Sequence, residues 1–432
     1  MTSLAMIMPY SKKFYNEIVK LVFPNDEFDT ISDFHHIAEY WSGDYIYNSN
    51  YEYPNECFDK DSSDIIARCR FLRDLDSEKA YSLALRFWNG VEELFLNKKY
   101  RYVFLPTIDD YTKDIVARVA EKNGAVVISL VQSFLNGYSR FTVRGERRDI
   151  NRIISDEEVE KTIAILTKDD YKPRYIVNKN QADLDRFWKR RYVIEKIAFP
   201  IIKTITNDKD NYHYNTKIYS GKKDDYICDS MMSLFSEDKD INIGEKDVFL
   251  PLHVTPEATV DYWCESSRDA YYEEAILELL QENNNVRFLV KDHPMMLGMR
   301  KLSFYKELCK CPNVILINPY ASSNNILLSC NNVAVHTGTV GIEALLRGKK
   351  VYSFSKNYYS DLHSGITVTR QIPEEQEKID VLRTGNEEFI RRLLNGLIPY
   401  KYTDTWGVDK KSDDLSQLAN WIRCYLDIYS VK

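Results

Sequence analysis

The sequence predicts an α/β chain made of two halves, each a doubly wound, Rossmann-like sheet. Three observations predict it. Short apolar runs alternate with helical patterns in the first 150 residues, and that rhythm returns from Asp247 onward. Between them, from about Asp149 to Lys246, helical patterns mix with polar stretches and the alternation is lost. At 432 residues the chain is also too long for one ordinary core.

The first half opens with a short apolar strand at Leu4 to Met8. Ser77 to Leu96 carries apolar residues at helical spacing (Ala80, Leu83, Phe87, Trp88, Val91, Leu94, Phe95), with Ser77 as a fair N-cap. Tyr102 to Leu105 reads as a buried strand stopped by Pro106. Tyr111 to Asn123 is a helix closed by Gly124, and Ala125 to Val131 is the next strand. Strand, helix and strand at this spacing form a βαβ unit, so the sheet is expected to be parallel.

The middle region holds helical patterns at Ile153 to Leu166 and Leu184 to Ile197, with a polar loop at Thr206 to Asp225. The second half then runs through strands at Val248 to Leu250, Val286 to Lys291, Val314 to Ile317, Val333 to His336 and Val351 to Phe354. Helices at Asp269 to Gln281, Ser303 to Cys309, Ser323 to Cys330 and Val340 to Arg347 separate them, the last ended by Gly348. An amphipathic helix, Asp414 to Tyr429, closes the chain. The domains predicted are therefore 1–150, a helical linker 151–246, a second Rossmann-like domain 247–390, and a helical segment 391–432.

Composition narrows the function. The net charge is −7, which lacks the basic footprint of a nucleic-acid binder. Two basic clusters, Arg144 to Arg148 and Lys189 to Arg191, read as solvated faces or as contacts with an anionic lipid or glycan. No run of about eighteen apolar residues is present, and the N-terminus lacks the charged flank of a signal peptide. A reducing cytoplasm is expected, with possible peripheral contact at the inner membrane. The eight cysteines show no metal spacing; Cys309 and Cys311 form a lone pair. Asp-x-Asp pairs occur at Asp59/Asp61, Asp74/Asp76, Asp183/Asp185, Asp208/Asp210 and Asp238/Asp240, and five in one acidic chain signal composition. No metal and no resident cofactor are expected.

Strand ends are where α/β folds place ligands, and four polar clusters fall there. Thr337-Gly338-Thr339 leads into a helix, where bare backbone N–H groups and two hydroxyls suit a phosphate or an ordinary helix cap. Glu343 lies one turn further on, placed to accept from a ribose diol or to sit in solvent. Lys291-Asp292-His293-Pro294 offers a histidine that could donate to a phosphate or serve a structural turn, with Lys291 adding charge beside it. His253 and Glu257 lie in a stiff loop between Pro251 and Pro256. In the first half, Asp109 or Asp110 could deprotonate an acceptor hydroxyl, and one of the pair is expected to cap the next helix.

Taken together, Pro251-Leu252-His253 with Pro256-Glu257, then Val290-Lys291-Asp292-His293-Pro294, then Thr337-Gly338-Thr339 with Gly341, Glu343-Ala344-Leu345 and Gly348 to Val351, resemble bacterial capsule and surface polysaccharide biosynthesis proteins. These include the Kdo transferases of capsule assembly. The likeness covers residues 247–360, while Val126 to Arg144 resembles the family's first half only weakly. The resemblance implies a GT-B glycosyltransferase: two Rossmann-like domains facing a cleft, an acceptor domain and a nucleotide-sugar domain, with the final helix packing back on the first. It implies a CMP-activated keto sugar such as Kdo or a nonulosonic acid as donor, and a surface glycan or glycolipid as acceptor. It places His293, Thr337 and Thr339 on the CMP phosphate and Glu343 on the ribose. The alternatives are a UDP/GDP-sugar or CDP-glycerol donor, a nucleotide-sugar epimerase, or a non-catalytic glycan assembly partner.

Overall fold

The structure, a computed structural model, describes residues 2–168, 171, 186, 190, 193–215, 229–237, 241–297, 299–373, 385–402 and 412–430. The expected helix 184–197 lies only partly among them. Residues 216–225 of the expected loop, most of the 189–191 cluster and the pairs 183/185 and 238/240 lie outside.

Two compact units are present. The first gathers residues 1–152, 200–216 and 395–432; the second gathers 153–199 and 217–394. The stretch 151–246, set apart in the sequence as a linker, is thus shared between them.

The first unit carries strands β1 (Thr2–Met6), β2 (Glu27–Ser32), β3 (Tyr40–Trp41), β4 (Tyr102–Leu105), β5 (Val126–Gln132) and β6 (Ser139–Phe141). They lie in the order β3-β2-β1-β4-β5-β6, parallel except for β6 against β5. The second unit carries β7 (Val248–Pro251), β8 (Phe288–Lys291), β9 (Val314–Ile317), β10 (Asn332–Val335), β11 (Lys350–Ser353) and β12 (Ile366–Val368). Their order is β12-β11-β10-β7-β8-β9, and all pairings are parallel. Counted within its own unit, each sheet has the strand order 3-2-1-4-5-6 of a doubly wound dinucleotide-binding fold. The α/β, two-Rossmann fold expected from the sequence is the fold observed.

Burial explains the strands that the sequence shows and those that it hides. β4, β7, β8 and β10 are covered on both faces and read as continuous apolar runs. β2 is interrupted by Asp29 and Thr30, and β12 exposes Thr367 and Val368 at a sheet edge. Neither shows an apolar run. β1 starts two residues before the predicted Leu4, because Thr2 and Ser3 pair through backbone with Glu27 and Phe28.

Helix starts also shift. Asp76, not Ser77, caps the helix Ser77–Lys98 and accepts from the N–H groups of Glu78 and Lys79. The helix predicted from Asp269 begins at Tyr272; Asp269 belongs to the preceding turn and is buried.

The final helix, Ser412–Tyr429, packs on the helix Lys12–Val22 of the first unit, as expected. Leu418, Ile422 and Tyr425 join Ile18 and Val19 in one core cluster. Tyr425 stacks on Phe141 at 4.5 Å and donates its hydroxyl to the Val127 carbonyl at 3.1 Å. The basic cluster of the first unit is paired within the protein: Arg144 with Asp114 and Glu121, Arg147 with Asp149, Arg148 with Glu146. Among the described residues, no helix is long and apolar enough to cross a membrane.

Candidate functional site

In the second unit the chain begins at β7, moves outward through β8 and β9, then returns to lay β10 on the other side of β7. Between β7 and β10 the connections leave in opposite directions, and α/β sheets bind ligands outside the strand ends at such a point. The residues found there are the ones the sequence singled out. Leu252 and His253 follow β7, Asp292 to Pro294 follow β8, and His336 to Thr339 follow β10. His253 Nε2 accepts the backbone N–H of Thr337 at 3.3 Å, tying two of these strand ends directly. An added Cβ on Gly338 would stand 3.3 Å from the same nitrogen, so this close approach favours glycine.

One buried arginine, absent from the sequence-based list, ties β7 to β8. Arg300 is 1% exposed. Its Nε donates to Asp292 Oδ2 at 2.7 Å, its Nη2 to the His253 carbonyl at 2.7 Å, and its Nη1 to Thr255 Oγ1 at 3.3 Å. Asp292 also accepts from the Tyr305 hydroxyl and from the His293 backbone N–H, both at 2.7 Å. The loops after β7 and β8 are thus hung on one ion pair. Sequence patterning offers no signal for it, since arginine is among the residues least expected inside a core.

The chemistry of the site follows from what burial does to its bases. Burial, helped by the nearby charge of Arg300 and by His336, pushes the His253 imidazole down to about 3, so it is neutral and accepts from Thr337. Burial also lowers His293, with Lys291 adding to the effect. His293 Nδ1 accepts the Met295 N–H at 3.1 Å, so the neutral ring carries its proton on Nε2 and is a donor there. Lys291 is 5% exposed, and its ammonium donates to the Asp292 carbonyl at 3.3 Å. Burial pushes it down to about 8, with Asp292 opposing. Pro294 opens the short turn that His293 caps.

Thr337 is buried and its hydroxyl donates to the Thr259 carbonyl at 3.2 Å. Thr339 sits at the cap of the helix Val340–Leu346 without a side-chain capping bond. The Tyr359 hydroxyl donates to the Gly338 carbonyl at 2.6 Å and lies against Gly341, where any side chain would collide with it. Glu343 is partly buried; burial pushes its carboxyl up to about 7 against the pull of Arg347. Glu257 is exposed and takes the Thr259 hydroxyl at 2.8 Å.

In the first unit, Asp110 is fully buried and caps the helix Tyr111–Lys122, accepting from the N–H groups of Thr112 and Lys113. Burial works against its charge, yet Lys113 and His213 hold its carboxyl below the usual range. Lys113 bonds Asp110 Oδ2 at 2.5 Å and also pairs with the half-exposed Asp109. Two clusters of potential metal ligands occur among the described residues: Asp33, Asp110 and His213 in the first unit, and Cys264, Asp269 and His336 in the second. In the latter, Cys264 Sγ is 3.2 Å from His336 Nδ1, His336 Nε2 is 3.5 Å from Asp269, and Arg370 lies 3.5 Å from the other oxygen of Asp269.

The sequence model of the family described as capsule polysaccharide biosynthesis protein matches residues 156–388, more than half of the chain. The chain belongs to the capsule polysaccharide biosynthesis protein family. The matched residues include every strand of the second sheet and every site residue just described there. A comparison with curated proteins gives no match. Among solved structures, this capsule-biosynthesis protein is similar to KpsC beta Kdo 2,7 transferase of Thermosulfurimonas dismutans, at 15% identity and a TM-score of 0.36 over 97% of this chain and 99% of that one. The beta Kdo 2,4 transferase of the same organism gives 15%, 0.34, and 76% and 93%. The UDP-GlcNAc 2-epimerase of Methanocaldococcus jannaschii gives 13%, 0.25, and 98% and 99%. Likeness this remote carries no substrate across.

Two outcomes follow for the capsule-biosynthesis protein. Arg300→Met strands Asp292 as a buried, uncompensated charge and should lower the unfolding free energy by about 3–5 kcal/mol in urea titrations; a loss below about 1 kcal/mol would mean the pair does not hold the site. Glu343 binds its proton more tightly folded than unfolded, since burial lifts it from 4.5 to about 7. Its contribution is therefore full below pH 4.5 and lost as pH rises through about 7. The Tm of the wild type should fall relative to Glu343→Gln across that window, and a difference independent of pH contradicts the assignment.

Proposed function

We propose that the protein is a glycosyltransferase that moves a sugar from a nucleotide-activated donor to a surface glycan or glycolipid acceptor, and that the switch point of the second unit binds the donor nucleotide. The observation that carries this reading is Lys291. A lysine ammonium buried to 5% exposure, bonded to a single backbone carbonyl, is a costly arrangement that an anion would relieve. His293 Nε2 follows it by two residues as a neutral donor, and Thr339 and Glu343 stand after the neighbouring strand end.

The donor we favour is a CMP-activated keto sugar such as Kdo or a nonulosonic acid. The family's His-Pro and Thr-Gly-Thr motifs support it, and so does the charge of the site. One ammonium and one imidazole N–H suit the single phosphate of a CMP sugar. Lys291 supplies the positive charge that other transferases obtain from a cation, so the reaction is proposed to need no metal. As the bond from the anomeric carbon to the phosphate breaks, negative charge grows on the phosphate oxygens. A fixed ammonium and N–H facing those oxygens stabilise the transition state more than the ground state. Glu343, with its carboxyl near neutrality, both donates to and accepts from the ribose hydroxyls. Of the two acceptor-side candidates in the first unit, the half-exposed Asp109 is the one proposed as base, since Asp110 is fully buried and spent on its helix cap and on Lys113.

Thermal shift with CMP, CDP, UDP and GDP and their sugars tests the donor, because a bound nucleotide raises Tm. CMP should give the largest rise. Lys291→Met removes a charged contact worth about 1.5–3 kcal/mol, so CMP affinity should fall roughly 10- to 100-fold by calorimetry. The same substitution should leave the unliganded protein as stable as the wild type or more so, because it removes a buried charge. Unchanged CMP affinity in Lys291→Met would refute the site.

A further inference from the structure

The chain leaves the second unit and enters the first along one helical run. Ile194–Ala198 have π spacing, and Phe199–Thr206 continue as an α-helix. Val193 before the π turn (φ −61°, ψ −44°) and Phe199 after it (φ −62°, ψ −43°) both keep helical dihedrals, so the run is unbroken. Its side chains face the wrong way for a helix in water. Val193, Ile194, Ile197, Ile201 and Ile205 are all exposed, between 37 and 79%. Glu195 and Ile202 are less exposed than these. A helix at a water surface turns its polar stripe outward and buries the apolar one. Here the isoleucines recur every three or four residues on the outward side.

Single exposed apolar residues are ordinary, whereas a contiguous row marks a surface that something covers. Fifteen large hydrophobics are exposed among the described residues, and five of them fall within these thirteen positions. The surrounding charge indicates the occupant. Arg186, Arg190 and Lys196 are exposed, and Lys203 donates to the neutral Asn215 Oδ1 at 2.8 Å. From 186 to 206 the sequence has six basic residues, with Lys189 and Arg191 among them, and Glu195 as the single acid. The whole chain, by contrast, carries a net charge of −7. A second copy laid on this face would bring like charges together, whereas an anionic headgroup layer pairs with them. The run from Val193 to Ile205 is about 20 Å long at the rise of a helix. That is shorter than the roughly 30 Å of a bilayer's hydrocarbon core, so the compatible geometry lies along the interface.

We propose that the helical run 193–206 is a membrane-docking element that lies in the headgroup region of an anionic bilayer. Val193, Ile194, Ile197, Ile201 and Ile205 reach the acyl boundary, and Arg190 and Lys196 pair with lipid phosphates. The inference goes beyond the transferase reading and does not need it, since neither donor nor acceptor enters the binding step. Its consequence is placement: a glycolipid acceptor of the class proposed above lies in the same plane as the docked helix.

The test uses the full chain without nucleotide and measures co-sedimentation with vesicles. One set mixes phosphatidylcholine with phosphatidylglycerol, and the other is phosphatidylcholine alone. The wild type should partition onto the anionic vesicles, and high salt should weaken that binding. Ile201→Asp combined with Ile205→Asp should lower partitioning roughly tenfold or more. Both positions are exposed, so the Tm of that variant should match the wild type. Arg190→Glu combined with Lys196→Glu should lower binding to the anionic vesicles by roughly tenfold and leave binding to phosphatidylcholine alone unchanged. The proposal is overturned if the wild type stays in the supernatant with anionic vesicles, or if either double variant sediments as the wild type does. It is also overturned if the isoleucine variant dissociates a dimer of the wild type that vesicles leave intact, which assigns the face to a second copy. Failure of every nucleotide to bind leaves these outcomes untouched and bears on the transferase reading alone.

Discussion

The buried ion pair of Arg300 and Asp292 is the constraint on which the rest of the second unit's site depends. Two charges taken out of water in a core are costly, and their mutual attraction offsets that cost only when every remaining donor and acceptor is used. Here they are used. Asp292 accepts from Arg300, Tyr305 and the His293 backbone, and Arg300 reaches Thr255 and the His253 carbonyl. The pair is the clamp that fixes the backbone on both sides of the gap between two adjacent strand ends. His253, held in this way, then meets Thr337 across the next gap. Three strand ends are thereby locked together through one arginine.

Rigidity here has a chemical consequence. The clamp satisfies its own charges and leaves the neighbouring groups short of partners. His293 spends one nitrogen on the Met295 N–H and keeps the other as a donor, while Lys291 is buried beside it with one backbone partner. Glu343 is held near neutrality by burial. Lys291, buried with one backbone partner, is a costly arrangement in the unliganded protein, and on the proposed reading these groups meet a phosphate and a ribose. The first unit repeats the pattern with different chemistry. At its switch point the buried Asp33 and Asp110 face His213 at 3.4 and 3.8 Å.

Much of this was legible in the sequence because it is local. Strands buried on both faces read as apolar runs, and residues that follow them sit at the carboxyl edge by construction. His253, His293 and Thr337 could therefore be placed near one another from strand ends alone. The strand order itself, which makes their strands neighbours, needed the structure. Arg300 and the Asp33–His213 contact were invisible for another reason: their partners are set by tertiary packing, and His213 sits in a single helical turn too short to show a period. His213 is 180 residues from Asp33, in a stretch that reads as polar loop. Asp110 shows the limit of a local rule. The expectation that one of the aspartate pair would cap a helix named the interaction, and burial decided which residue makes it. Edge strands such as β12 and the polar β2 escaped because backbone pairing asks little of their side chains.

The central claim is that a nucleotide phosphate sits where β7, β8 and β10 end, on groups held by the Arg300–Asp292 pair. A crystal structure of the protein with CMP bound tests it most directly. The account predicts phosphate density within hydrogen-bond reach of Lys291 Nζ and His293 Nε2, with the ribose at Glu343 and the Arg300–Asp292 contacts unchanged. Nucleotide bound elsewhere on the second unit, with Lys291 still facing only the Asp292 carbonyl, would contradict it.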